Sequence, residues 1–141
     1  MSGLMLEDLA IGQSAERTQT VTEATIAAFA EVSGDHNPVH LDAAFAARTP
    51  FKERIAHGML SAAYISAVLG NDLPGPGAIY LSQTLSFRRP VKIGDVVTAR
   101  VTVAAIDEDK GRVTFATLCE VAGKPVTSGE AVVMVSRRAA A

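Results

Sequence analysis

A single cysteine in 141 residues leaves this chain without covalent staples. Cys119 has no partner for an intramolecular disulfide and excludes any multi-cysteine metal site, which fits a reducing compartment. A basic excess is missing as well. Thirteen Lys and Arg against fifteen Asp and Glu leave a net charge of -2, with a pI near 5.9, so no global field draws nucleic acid or an anionic membrane. Nor is there a long apolar run: the stretch from Met59 to Leu69 is broken by Ser61 and Ser66 and meets Gly70, short of the ~20 residues a membrane span requires. The opening residues Met1 to Asp8 carry no basic region ahead of an apolar run and reach an acid at Glu7, so no secretory leader is expected. These absences predict a cytoplasmic protein whose partners are neither nucleic acid nor membrane.

What is present is apolar bulk. Hydrophobic residues make up 48% and charged residues 20%, and the mean hydropathy of +0.23 is high for a small soluble domain. That surplus predicts a buried subunit interface or an apolar cavity. The length suits one domain over residues 1–141, large enough to bury roughly two thirds of its unfolded surface.

Patterning along the chain gives the elements. Residues 12–21 form a candidate first strand. Thr22 and Glu23 start a helix with Ile26, Phe29, Ala30 and Ser33 at helical spacing, and Gly34 stops it. A short helical turn is expected over residues 43–47. Between Met59 and Leu69 the only polar groups are two serines and the Tyr64 hydroxyl, the pattern of a helix buried on all sides. Leu73-Pro74-Gly75-Pro76-Gly77 is a rigid connector. Beyond it the sequence alternates. Ile79, Leu81, Leu85 and Phe87 share one parity with Gln83; Val97, Ala99, Val101, Val103 and Ala105 repeat the pattern after Gly94-Asp95; Val113, Phe115, Cys119 and Val121 follow Asp109-Lys110-Gly111; and residues 126–135 follow Gly123-Lys124. Four strands joined by short turns predict an antiparallel meander. The fold class is therefore α+β, a twisted antiparallel sheet wrapped around one long buried helix. The tail, residues 137–141, is expected to fray.

The densest chemistry lies in Ser33-Gly34-Asp35-His36-Asn37-Pro38-Val39-His40. Asp35 and His40 are five apart and would point about 140° away from each other on a helix. Pro38 pushes Asn37 away from helical dihedrals, so the segment reads as a turn or loop that can bring both side chains to one point. A carboxylate and an imidazole on one water can take and return a proton near neutral pH. The alternative is an Asx-type turn in which Asp35 and Asn37 bond their own backbone. His36 and His40 have a metal-ligand spacing only on a helix. With Pro38 between them and no third ligand pattern, no metal is expected and His36 reads as a solvated loop residue.

This loop within Phe29 to Asp42, with Ile55-Ala56-His57-Gly58-Met59-Leu60 and Phe87-Arg88-Arg89-Pro90-Val91-Lys92-Ile93-Gly94-Asp95, resembles the MaoC-like dehydratase family of hot-dog folds. Within it the chain is most similar to the short (R)-specific enoyl-CoA hydratases, from about Leu9 to Val135. The resemblance implies a hot-dog homodimer with continuous sheets and active sites near the subunit interface. It implies that Asp35 and His40 bind the reacting water and add it across C2-C3 of a trans-2-enoyl-CoA, giving an (R)-3-hydroxyacyl-CoA with no cofactor beyond the substrate's own coenzyme A. Gly58, at the start of the central helix, would then offer its backbone N-H to the enolate oxygen, or else merely permit a tight helix entry. Asn37, Met59 and Ser66 are expected to contact substrate, although Asn37 could serve only the turn and Ser66 could bond the carbonyl four residues back. His57 reads as a helix-entry residue bonded to backbone. Arg88, Arg89 and Lys92 either meet coenzyme A phosphates or form a solvated strand end. Competing activities are an acyl-carrier-protein dehydratase, a hot-dog thioesterase and, in another class, a noncatalytic acyl-CoA-binding subunit.

Overall fold

Thr22 caps the first long helix by accepting the Thr25 N-H at 3.1 Å, and Gly34 ends it at φ 78°, a left-handed conformation suited to glycine. The computed structural model describes residues 3–138. A 3-10 turn at Leu6–Asp8 leads into β1 (Ser14–Thr20) and α1 (Glu23–Ser33). The short helices α2 (Pro38–Leu41) and α3 (Ala43–Ala47) follow, then the long helix α4 (Gly58–Asn71). Strands β2 (Ile79–Gln83), β3 (Ser86–Phe87), β4 (Val96–Asp107), β5 (Arg112–Val121) and β6 (Lys124–Met134) complete the chain.

The sheet is antiparallel in the order β1-β4-β5-β6-β2, with β3 also paired to β6. Its concave face holds α4: Leu60, Ile65, Val68 and Leu69 of the helix join one core with Val97, Ala99, Val101 and Val103 of β4, Val113, Phe115 and Cys119 of β5, and Ala131 and Val133 of β6. This is a hot-dog fold. The α+β class, the first strand, both bounds of α1, the short helix at residues 43–47 and the central helix agree with the sequence pattern.

Several expectations need correction. Only β4, β5 and β6 form a meander, because the strand after Gly77 crosses to the far edge and pairs with β6. That strand is also split. At its break the chain passes so close over Gly129 that a Cβ there would lie 1.8 Å from the Thr84 carbonyl oxygen. Its alternation does not become burial, since Ile79, Tyr80, Leu81 and Phe87 are all exposed on an edge that the single chain leaves uncovered. Helix α4 is likewise not buried all round: Met59, Ala63, Ser66 and Gly70, spaced three or four apart, form an open stripe. On β4, a bulge after Val103 turns Ala105 outward. Finally, Arg138 is tied down rather than frayed, its backbone N-H bonding Glu7 at 2.9 Å and its guanidinium pairing with Asp8; residues 139–141 lie outside the described residues.

Candidate active site

The loop after α1 is ordered by its own side chains. Ser33 Oγ donates to the Phe29 carbonyl at 2.6 Å and accepts the Asp35 N-H at 3.1 Å. Asp35 Oδ1 accepts the Asn37 N-H at 3.1 Å, and Asn37 Oδ1 accepts the Val39 N-H at 3.2 Å. Both are Asx turns, so the turn reading of these residues is present alongside any chemistry. Pro38, expected to hold the segment off the helix, instead occupies the first turn of α2 with Asn37 as its cap. Proline at that position loses no hydrogen bond and its fixed φ suits helix entry. Asp35 therefore sits on the loop and His40 on a helical turn, and the kink between them brings the pair together.

His40 is 8% exposed and its Nδ1 lies 2.7 Å from the Ile55 carbonyl. A carbonyl can only accept, so Nδ1 carries the hydrogen and Nε2 is left with its lone pair. Burial lowers the His40 pKa below the ordinary 6.5, helped by nearby His57 and opposed by the Ile55 bond and Asp35. Arg54, which sequence reasoning passed over, donates from Nε to the His40 carbonyl at 2.7 Å and from its terminal nitrogen to Glu23 Oε1 at 2.7 Å. It clamps α2 to the start of α1. Its place immediately before the second motif, three residues ahead of His57, was the available signal.

His57 is the other residue undervalued by sequence. It is bonded to backbone as expected, but the bond runs from Nε2 to the Asp35 carbonyl at 2.9 Å. Its ring stacks on His40 with centroids 3.9 Å apart at 28°, and Phe29 lies on it at 4.9 Å. Asp35, His40 and His57 bring ligand-capable atoms within 4.8 Å of one another. Stacked imidazoles direct their in-plane lone pairs side by side rather than onto one ion, so the cluster suits a water held by Asp35 and His40 better than a tetrahedral metal. His36 stands apart, exposed, with Nδ1 against the Gly34 carbonyl at 3.1 Å.

Helix α4 begins beside this pair. Its cap residue, His57, makes no side-chain capping bond; its carbonyl accepts the Leu60 N-H at 3.1 Å, and the Gly58 N-H is not taken up by the cap. The space a Cβ would need at Gly58 is filled by the Phe87 ring, 2.8 Å away, so glycine here also accommodates Phe87. A cavity of about 400 Å³ is lined by His40, His57, Gly58, Met59, Phe87, Arg88 and Arg89 among others. A second, of about 530 Å³, runs along the open stripe of α4 past Phe29, Met59, Ala62, Ala63 and Ser66 to Tyr80 and Leu85. Met59 borders both. Asn37 lines neither, and its side-chain oxygen is spent on the cap of α2. Arg88 Nε bonds Ser128 Oγ at 2.7 Å, and Lys92 lies 3.5 Å from Glu53, leaving Arg89 as the less engaged cation at the rim. Cys119 is buried and its thiol is pushed up to about 11, which removes it as a nucleophile.

Residues 8–129 match the model of the MaoC like domain. The chain belongs to the MaoC-like dehydratase family. Among curated members it is 57% identical over 132 residues to an (R)-specific enoyl-CoA hydratase of Rhodospirillum rubrum, covering 94% of this chain and 92% of the relative. It is 48% identical over 135 residues to a 3-hydroxybutyryl-CoA dehydratase of Methylorubrum extorquens, covering 96% and 86%. Among solved structures, an unliganded R-hydratase from Pseudomonas aeruginosa superposes with a TM-score of 0.91 at 52% identity, over 96% of this chain and 88% of that one. This MaoC-like chain thus shares fold and family with hydro-lyases acting on acyl thioesters. No helix among its described residues is long and apolar enough to cross a membrane.

Proposed function

We propose that this protein is an (R)-specific enoyl-CoA hydratase, which reversibly adds water to trans-2-enoyl-CoA to give (R)-3-hydroxyacyl-CoA. The observation that carries the proposal is the convergence of Asp35 and His40 beside the start of α4. Asp35 offers a carboxylate and His40 a lone pair on Nε2, so both accept. A water donating one hydrogen to each, with bonds of roughly 2.8 Å, would hold the two acceptors about 4.5 Å apart, a span in keeping with a His40 ring nitrogen and an Asp35 carboxylate oxygen lying within 4.8 Å of each other. Its oxygen lone pair is then turned toward C3. As the C3-O bond forms, the C2-C3 π electrons move to the thioester oxygen as an enolate, and the Gly58 N-H at the positive end of α4 stabilises that charge. One of the pair takes the proton released by water, and a proton returns from the same side to C2, giving syn addition.

Substrate placement follows from the cavities. The thioester would lie over Gly58 and Met59, with the acyl chain along Ala62, Ala63 and Ser66 and the coenzyme A arm toward Arg88 and Arg89. The exposed apolar edge at Ile79, Tyr80 and Leu81 supports a homodimer in which β2 of two copies meet, since an unpaired edge presents open backbone donors and acceptors. Loss of enoyl-thioester absorbance with crotonyl-CoA and longer enoyl-CoAs, chiral analysis of the product and sedimentation of the same sample test this reading. Release of free thiol instead would indicate a thioesterase. Acyl-CoA binding without turnover would indicate a noncatalytic subunit.

The His40 environment gives a pH prediction. Burial lowers its folded pKa, so the unfolded chain takes up more protons as pH falls below 6.5. The stability His40 contributes is complete above that pH and is lost as pH falls from there through the folded value. Because Nε2 must be unprotonated to hold the water, the acid limb of kcat/KM should have an apparent pKa below 6.5. A limb above that value would contradict the assignment of His40 as a proton acceptor.

A further inference from the structure

His57 occupies the cap position of α4, where a short polar side chain would ordinarily bond the helix N-H groups. It makes no such bond. Its ring instead reaches a loop 22 residues earlier, with Nε2 at 2.9 Å from the Asp35 carbonyl. The residue is 3% exposed, and its Nδ1 is buried without a partner. An unpaired buried nitrogen is a standing cost that an apolar ring of the same shape would avoid. The one hydrogen bond that the ring makes is therefore what sets histidine apart from an apolar ring at this position.

We propose that His57 is a positioning residue: its Nε2-H holds the Asp35 backbone, fixing the carboxylate relative to His40, while leaving the Gly58 N-H at the start of α4 free. The inference rests on the hydratase reading above. His57 touches neither water nor substrate in this scheme. It acts through Asp35, and catalytic geometry is sensitive enough for small displacements to matter. The carbonyl at 2.9 Å demands a hydrogen on Nε2, which assigns the Nε2-H tautomer to His57 and the opposite, Nδ1-H tautomer to His40 across the stack.

Two variants separate positioning from packing. His57→Phe keeps the ring between Phe29 and His40 but removes the donor; His57→Gln keeps a donor at similar reach but removes the ring. Positioning predicts that His57→Phe loses roughly one to two orders of magnitude in kcat with KM changed less than about threefold, and that His57→Gln recovers most of kcat. A packing role predicts the reverse order, with Phe active and Gln impaired in step with its lower melting temperature; that order, or equal activity of both variants and wild type, overturns the proposal. Imidazole nitrogen shifts in the wild-type protein supply a readout independent of turnover. A hydrogen on Nε2 of His57 supports the inference even if no enoyl-CoA is hydrated and the hydratase reading fails, whereas a hydrogen on Nδ1 sinks it even if the enzyme is fully active.

Discussion

Asp35→Asn is expected to lower hydration by at least three orders of magnitude while leaving the fold unchanged. The Asn37 N-H now bonds Asp35 Oδ1 at 3.1 Å, and an asparagine side-chain oxygen can accept that same bond. The Ser33 and His57 contacts to residue 35 involve its backbone and survive the exchange. The loop should therefore keep its shape and the melting temperature should stay within a degree or two, as for an exposed polar exchange worth less than about 0.5 kcal/mol. What disappears is the negative charge and the capacity to accept a proton. Removing a positioned acid-base group typically costs about 10²–10⁴ in rate, and here the lost group also holds the nucleophilic water. The decisive comparison is single-turnover hydration of crotonyl-CoA by both proteins at equal substrate saturation. Hydration within tenfold of wild type would remove Asp35 from the chemistry, tenfold being about 1.4 kcal/mol of barrier.

His40→Ala should be as damaging to rate but different in kind, because His40 is buried where Asp35 is exposed. Truncation removes Nε2 from the water and leaves the Ile55 carbonyl without the donor it now has at 2.7 Å. A buried acceptor left unpaired costs about 1–3 kcal/mol, the lower end applying to this part-buried carbonyl, and the face of His57 loses its stacked neighbour. The variant should therefore show both a rate loss of roughly three orders of magnitude and a clear drop in melting temperature. The double variant with Asp35→Asn should be little slower than either single one, because the two residues act on one water and their effects are not additive. Independent, multiplying losses would mean that the two groups do not share a water. Chemical denaturation alongside the rate measurement separates the parts, since Asp35→Asn should fall on the rate axis alone and His40→Ala on both.

The difference between these two variants shows where sequence reasoning was sufficient. Local chemistry could be read directly: Thr22 and Gly34 bracket α1, a short helical turn lies at residues 43–47, and alternating valines mark β4 and β5. Each depends on residues within a turn or on a period of two. Pro38 was legible only in part. Its effect on the residue before it was anticipated, but its fitness for the first turn of a helix, which places His40, was not. The broken strand after Gly77 was harder still, because its split depends on how Thr84 crosses Gly129, 45 residues away.

The sequence by itself determined the α+β class, the single central helix and the identity of the polar cluster, because periodicity, caps and turn residues act locally; the hot-dog came from the family that its short motifs resemble. Only the tertiary structure decided which face of α4 stays open, that β2 forms an apolar edge, and that His57 and Arg54 reach back to hold Asp35 and His40. Those contacts span 14 to 22 residues and depend on packing α4 against the sheet. No local pattern encodes them, since a side chain's partner across that distance is set by where the whole core places two backbones.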